Sequence, residues 1–311
     1  MEPSRYETSI LRQPELVSAA LSAPRPAWMK APKQRRCFLV GIGTNHHAAC
    51  LAAWLWRGTK LDAEAWHSFD FVARPPRLKR GDLGIFLSHR GGKSYTLQAE
   101  ALARRAGVET VILTGAASPW KSSPRRIETG PMEDTGAFTQ SLTTALAWLL
   151  RWPDVPELLA PFQNIKKSLK WGPAFPNITA ETDVVVLGDG LREWLAREAA
   201  LKLLETSYLR VRTFGLEEFL HGPNVSVGHG SVVVGFSSAR QVRWKALRNY
   251  LRTIETPFVD VSSEDWLAQL LWGQRLALET CRRLNIDPDL LRTDDPRYRR
   301  ARFSMMSPAA G

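Results

Sequence analysis

The chain has 311 residues, 44% hydrophobic and 23% charged, which is the composition of a globular protein and excludes a disordered one. No apolar run reaches the roughly 18 residues of a membrane-crossing helix, and residues 1–21 are too polar to read as a secretory signal. The formal net charge of +11 suits a polyanion or a phosphorylated small substrate; no helix-turn-helix and no sheet of stacking aromatics accompanies it to favour nucleic acid, and the excess at the C-terminus reads equally as a solvated basic tail. Three cysteines, Cys37, Cys50 and Cys281, stand far apart without C-x-x-C spacing, so buried, reduced thiols and a cytoplasmic location are expected.

Residues 6–22 carry apolar side chains at helical spacing (Ile10, Leu11, Leu16, Ala19, Leu21), interrupted by Pro14. A stretch rich in proline and basic residues, 23–36, reads as a linker. Then come a strand over 37–40, the turn Gly41-Ile42-Gly43-Thr44 and a helix over 45–56. A strand over 83–87 runs into Ser88-His89-Arg90-Gly91-Gly92 and a helix over 94–106, followed by a strand over 110–113. After a helical stretch, 138–152, and a proline-rich connector, 171–177, the pattern starts again. A strand over 184–187, the turn Gly188-Asp189-Gly190 and a helix over 191–208 precede strands over 231–235 and 257–261. A long helix, 266–284, leads into a tail with Arg292, Arg297, Arg299, Arg300 and Arg302. Strands alternating with helices predict parallel sheets covered on both faces, here twice, with a boundary near 155–180.

A glycine turn between a strand and a helix N-terminus presents free N–H groups and a positive dipole end to an anion. The turns at 41–45 and 88–93 both qualify; Arg90 and Lys93 add full charges and Ser88 a hydroxyl. The first is no dinucleotide fingerprint, because His46 stands where G-x-G-x-x-G requires glycine. Glu198, Lys202 and Glu205 fall at i, i+4 and i+7 on one helix face. They read either as an exposed salt-bridged face or as a carboxylate base beside a lysine that fixes its ionisation. His221, before a Gly-Pro break, is either a proton-transfer group or a surface histidine. His46, His47 and Cys50 suggest a metal, but adjacent histidines face apart on a helix and no third ligand is positioned, so no metal is assigned.

The run from Glu198 to Tyr208 (E-A-A-L-K-L-L-E-T-S-Y), followed by Glu218 and His221-Gly222-Pro223, resembles the E-G-A-L-K-L-K-E-x-S-Y…E-x-x-H-G-P signature of the sugar isomerase (SIS) family. Within that family the likeness is to the isomerase half of glutamine–fructose-6-phosphate aminotransferases. Supporting matches run in order along the chain. They are Ser9-Ile10-Leu11-Arg12-Gln13-Pro14, Gly43-Thr44, and the partial match of Glu128-Thr129, Thr135 and Ala137-Phe138-Thr139. The resemblance implies an α/β fold of two tandem SIS domains, each a parallel-sheet three-layer αβα (flavodoxin-like) sandwich. The implied boundaries are an N-terminal helix and linker at 1–36, domains at 37–160 and 178–284, and a basic tail at 285–311.

The resemblance also assigns roles. Glu205 is implied as the base shuttling a proton between C1 and C2, Lys202 as its assistant and Glu198 as a member of the catalytic set. His221 is implied as the ring-opening group, reaching the neighbouring subunit's site in a homodimer. Gly43, Thr44, Asn45, Ser88, His89, Arg90, Gly91, Lys93 and Thr135 are implied to hold the sugar phosphate, with no cofactor. The chain departs from the family where S-Q-S-G-x-[ST]-x-D-T becomes Ser88-His89-Arg90-Gly91-Gly92-Lys93-Ser94-Tyr95-Thr96, and where Asn45 replaces a serine. The C-terminal P-R-x-L-[AS]-K becomes Pro296-Arg297-Tyr298-Arg299-Arg300-Ala301, without a lysine able to form a Schiff base. These residues include no glutaminase sequence, so glutamine is not the expected ammonia source. The expected activity is isomerisation or deamination of an amino-sugar phosphate such as glucosamine 6-phosphate. The alternative is a catalytically inactive sugar-phosphate sensor; a DNA-binding regulator is disfavoured by the short stretch before the first strand.

Overall fold

The computed structural model describes residues 2–29, 35–238 and 242–306, with side chains described as far as residue 301. Two helices open the fold, α1 (Arg5–Leu11) and α2 (Gln13–Ser22). Ser4 caps α1 by accepting the Glu7 N–H, and Pro14 sits in the first turn of α2, where its missing N–H has no intrahelical acceptor to lose. The first unit then runs β1 (Arg35–Gly41), α3 (Thr44–Leu55), β2 (Leu61–His67), α4 (Ser68–Ala73), β3 (Leu83–Leu87), α5 (Ser94–Arg105), β4 (Glu109–Thr114), β5 (Arg126–Glu128) and α6 (Gln140–Leu150). Short helical turns follow, including α7 (Ala160–Gln163) and α8 (Ile165–Ser168). The second unit runs β6 (Asp183–Gly188), α9 (Leu191–Ser207), β7 (Val211–Gly215), α10 (Leu216–Leu220), β8 (Ser231–Ser237), α11 (Val242–Thr253) and β9 (Phe258–Ser262). The helices α12 (Trp266–Arg283) and α13 (Pro296–Met306) complete the described chain.

Every strand pairing is parallel, in the orders β2-β1-β3-β4-β5 and β7-β6-β8-β9. The two orders coincide over four strands, so the repeated pattern in the sequence is a repeated topology. Alternate residues of each strand serve different cores. Cys37 and Leu39 of β1 join Val184 and Val186 of β6 in one central core, whereas Phe38 and Val40 face α4 and α5 on the outside. Val185 and Leu187 likewise face α10 and α11. Strands buried on both faces explain the unbroken apolar runs; each fully buried valine or leucine contributes roughly 1.5–3 kcal/mol. The inner helices α3, α6, α9 and α12 lie between the two sheets, in that shared core.

Three strands escaped the sequence reading: β2, β5 and β7. All lie at sheet edges and mix charged with apolar residues, as in Leu61-Asp62-Ala63-Glu64-Ala65-Trp66-His67, so neither an apolar run nor a clean alternation marks them. The linker expected over 23–36 ends earlier, since β1 begins at Arg35; residues 30–34 of it lie outside the described residues. The residues before the Gly222-Pro223 break form the short helix α10, and the basic tail contains α13.

In each sheet the first strand sends the chain to an inner helix and its neighbour, β3 or β8, sends it to an outer one. Such a reversal opens a crevice at the carboxyl ends of the two strands. In the first unit it lies between the turns at 41–45 and 88–93. Gly43 (φ +58°) and Gly190 (φ +53°) start α3 and α9 in the same left-handed conformation, which favours glycine. The two turns differ in what covers them. A Cβ at Gly190 would stand 2.8 Å from the Trp54 ring, whereas one at Gly43 would meet only Leu201 Cδ2 at 4.0 Å. The indole closes the second turn and the first remains open.

Candidate active site

The open crevice is a cavity of about 330 Å³, lined by Ile42, Gly43, Thr44 and Asn45 on one side and by Leu87, Ser88, His89, Arg90, Gly92, Lys93 and Thr96 on the other. Gly136 and Phe138 form a third wall, and Glu205 enters from α9. Two helix N-termini, of α3 at Thr44 and of α5 at Ser94, therefore border one space, together with the cations Arg90 and Lys93. That combination suits an anion.

Glu198 and Lys202 have no measurable exposure, which overturns the exposed salt-bridge reading of this helix face. Lys202 Nζ donates to Glu205 Oε2 at 2.8 Å and to Thr44 Oγ1 at 2.9 Å, and lies 3.3 Å from Glu198 Oε1. Its three protons are thus matched by three oxygens. Burial pulls the Lys202 pKa down, but the Glu198 and Glu205 carboxylates outweigh it and hold the ammonium above the ordinary lysine range. Burial pushes the Glu198 carboxyl up, and Lys202 with His47 outweighs it, leaving Glu198 below the ordinary carboxylate range. Both stay charged at neutral pH. Of the three α9 residues, Glu205, with a side chain 32% exposed, is the one that lines the cavity.

The structure distributes the other expected site residues unevenly. Thr44 lines the cavity, but its hydroxyl accepts from Lys202 and donates to Glu198 at 3.2 Å, so it ties α3 to α9. Gly43, Asn45, Ser88, Arg90 and Lys93 also line the cavity. Arg90 also donates to the Thr135 carbonyl at 3.1 Å and lies 5.1 Å over the Phe138 ring, so its guanidinium is held along the wall. His89 borders the cavity with both ring nitrogens engaged: Nδ1 lies 3.3 Å from Thr129 Oγ1, and Nε2 accepts the Glu133 N–H at 2.9 Å. Burial holds the His89 pKa below the ordinary histidine value. Gly91 shapes the turn (φ +63°), and Thr135 is buried beside the wall; neither lines the cavity. His221 is far more open, with a side chain 75% exposed and Glu217 at 3.6 Å, and it does not line this cavity.

Two residues that shape the site were not assigned to it from the sequence. His47, one turn into α3, places Nδ1 2.6 Å from Glu198 Oε2. Glu133, 2% exposed, accepts from Ser9 Oγ at 2.5 Å and from the N–H groups of Thr139, Gln140 and Ser141 at 2.8, 3.3 and 2.8 Å. It caps α6 and fixes the wall that carries Gly136 and Phe138. A carboxylate six residues before a threonine at a helix start is too long-range a cap to read from spacing. His46 points away from the site, 3.5 Å from Cys50 Sγ, so the adjacent histidines diverge as expected. Among the described residues no group of three or more His, Cys, Asp or Glu could hold a metal ion. The three cysteines are free and buried, with burial pushing Cys37 and Cys50 up to about 12 and Cys281 to about 11. No helix among the described residues is long and apolar enough to cross a membrane.

Residues 32–150 match the family model of the SIS domain, so the first unit is a SIS domain. In sequence the chain is similar to a glutamine–fructose-6-phosphate aminotransferase [isomerizing] of Bradyrhizobium diazoefficiens, 25% identical over 277 residues. That alignment covers 80% of this chain and 45% of the relative, so the chain spans less than half of that protein's length. In fold it is similar to the C-terminal domain of glucosamine-fructose-6-phosphate aminotransferase from Francisella tularensis, with TM-score 0.76 and 18% identity over 93% of this chain and 98% of that one. It is also similar to glucosamine-6-phosphate deaminase from Thermotoga maritima, with TM-score 0.73 and 17% identity over 92% and 97%. Both structural likenesses bear on the fold.

Proposed function

Starting from a chain that carries a SIS domain, we propose that it is a phosphosugar aldose–ketose isomerase or deaminase acting on an amino-sugar phosphate such as glucosamine 6-phosphate. One observation carries the reading: a carboxylate, Glu205, enters an anion-suited cavity while a fully buried lysine, ion-paired to a second carboxylate, holds it. The sugar's phosphate lies between the N-termini of α3 and α5, with Arg90 and Lys93 supplying charge. Ser88 and Asn45 supply side-chain hydrogen bonds, and Gly43 lets the backbone approach. Glu205 then takes the proton from one of C1 and C2 of the open chain and returns it to the other. Lys202, buried behind the cavity wall, holds the Glu205 carboxylate in place for both transfers. With an amine on C2, isomerisation yields an imine that water releases as ammonia. No cofactor is required by these steps.

The second unit is read as a second SIS domain, on the repeated strand order and the matching left-handed glycines at 43 and 190. The boundaries proposed are 37–160 and 178–284, flanked by 1–36 and 285–311. His221, exposed and outside its own chain's cavity, is assigned to a partner protomer's site in a homodimer, where it opens the sugar ring. A cytoplasmic location accords with three free thiols.

The test offers purified protein glucosamine 6-phosphate and related phosphosugars, following ammonia release and ketose formation. Turnover abolished by Glu205→Gln supports the reading. No turnover by the wild type with any of them, alongside ligand-dependent thermal stabilisation, refutes it in favour of a sensor.

A further inference from the structure

The helix α3 places two polar side chains against α9, Thr44 at its first position and His47 one turn on. Around the buried Glu198 the donors are divided. Oε1 receives the Thr44 hydroxyl at 3.2 Å and faces the Lys202 ammonium at 3.3 Å, while Oε2 faces His47 Nδ1 at 2.6 Å. The array holds two carboxylates, Glu198 and Glu205, against the one ammonium they share. Lys202 sits closer to Glu205, at 2.8 Å, than to Glu198. That asymmetry depends on Glu198 having another partner. With Oε2 unheld in a site without water contact, a bare carboxylate oxygen would draw the ammonium toward itself and away from Glu205.

We propose that His47 is a positioning residue: by occupying Glu198 Oε2 it keeps the Lys202 ammonium on Glu205, the carboxylate that reaches the cavity. The kinetic consequence rests on the isomerase reading above; the structural one does not. The charged and titratable groups facing the imidazole are Glu198 and, behind it, Lys202 from α9, with His46 beside it on α3. The indole of Trp194, its ring centre 6.3 Å away, forms an aromatic side of the site.

The experiment compares His47→Phe, which keeps a ring and removes the donor, with His47→Gln, which restores an N–H donor. With glucosamine 6-phosphate, His47→Phe should lower kcat about tenfold or more and leave KM within about twofold, and His47→Gln should recover most of the loss. Affinity for inorganic phosphate, measured by calorimetry, should be equal in all three proteins and reports an intact cavity. Alongside, the ζ-15N resonance of Lys202, assigned by its loss in Lys202→Met, should shift in His47→Phe and return toward its wild-type position in His47→Gln. If the wild type turns over no phosphosugar, the isomerase reading has failed and the resonance alone decides. An unmoved Lys202 resonance in His47→Phe, or wild-type kcat in that variant, overturns the proposal; so does a failure of His47→Gln to restore either.

Discussion

Replacing Lys202 by methionine isolates the energetics of the buried array. Methionine fills nearly the same volume, so packing changes little, but Glu198 keeps its charge with no ammonium beside it. Removing one partner of a buried ion pair costs about 3–5 kcal/mol, because the other charge stays desolvated. Here Glu198 retains the His47 contact at 2.6 Å and the Thr44 hydroxyl at 3.2 Å, and Glu205 is partly solvated, which places the loss near the lower end, about 3 kcal/mol. At roughly 2–4 °C per kcal/mol for a chain of this order of size, the melting temperature should fall by about 6–12 °C. Adding Glu198→Gln to Lys202→Met removes the stranded charge and should recover about half of the loss or more. Differential scanning calorimetry at pH 7 of the two single variants and the double variant gives the comparison. A Lys202→Met protein as stable as the wild type, or a double variant whose losses simply add, would refute the claim that these groups form a buried charged pair.

Glu205→Gln should fold normally and lose about 100-fold or more of the proposed turnover, measured by ketose formation, since an amide cannot accept the proton. Replacing Arg90 and Lys93 together by alanine should weaken inorganic phosphate binding about tenfold or more by calorimetry, more strongly at low salt; unchanged affinity would move the anion elsewhere. Burial, with His47 and His67 nearby, lowers the His46 pKa to about 4. The unfolded chain therefore binds a proton between about 6.5 and 4 that the folded chain refuses. Stability from this group is present above 6.5 and lost as pH falls toward 4, up to about 3 kcal/mol, and His46→Gln should flatten that part of the urea-denaturation pH profile. Gly91→Ala should destabilise by roughly 1 kcal/mol or more in urea, because φ is +63° and the new Cβ would stand 2.0 Å from Ser118 Oγ.

The sequence by itself determined the parallel α/β class and its repetition, because strands buried on both faces must be apolar throughout, as Val184 to Leu187 are. It also determined that Glu198, Lys202 and Glu205 share a helix face, since the helical period is fixed by the backbone. Edge strands such as β2 and β7 stayed hidden, because a half-solvated strand with mixed residues leaves no periodic trace. What that helix face does was left open: the same spacing serves an exposed salt bridge or a buried array. Only the packing of α3 on α9 decided it, by removing water from Glu198 and Lys202 and bringing His47, 151 residues away in sequence, against the carboxylate. Tertiary structure likewise decided which of two equivalent turns stays open. Gly43 and Gly190 are interchangeable in local conformation, and Trp54, reaching across from α3, closes one of them. Local chemistry is written in the order of residues; burial and opposition across a seam between two sheets depend on which distant side chains meet there.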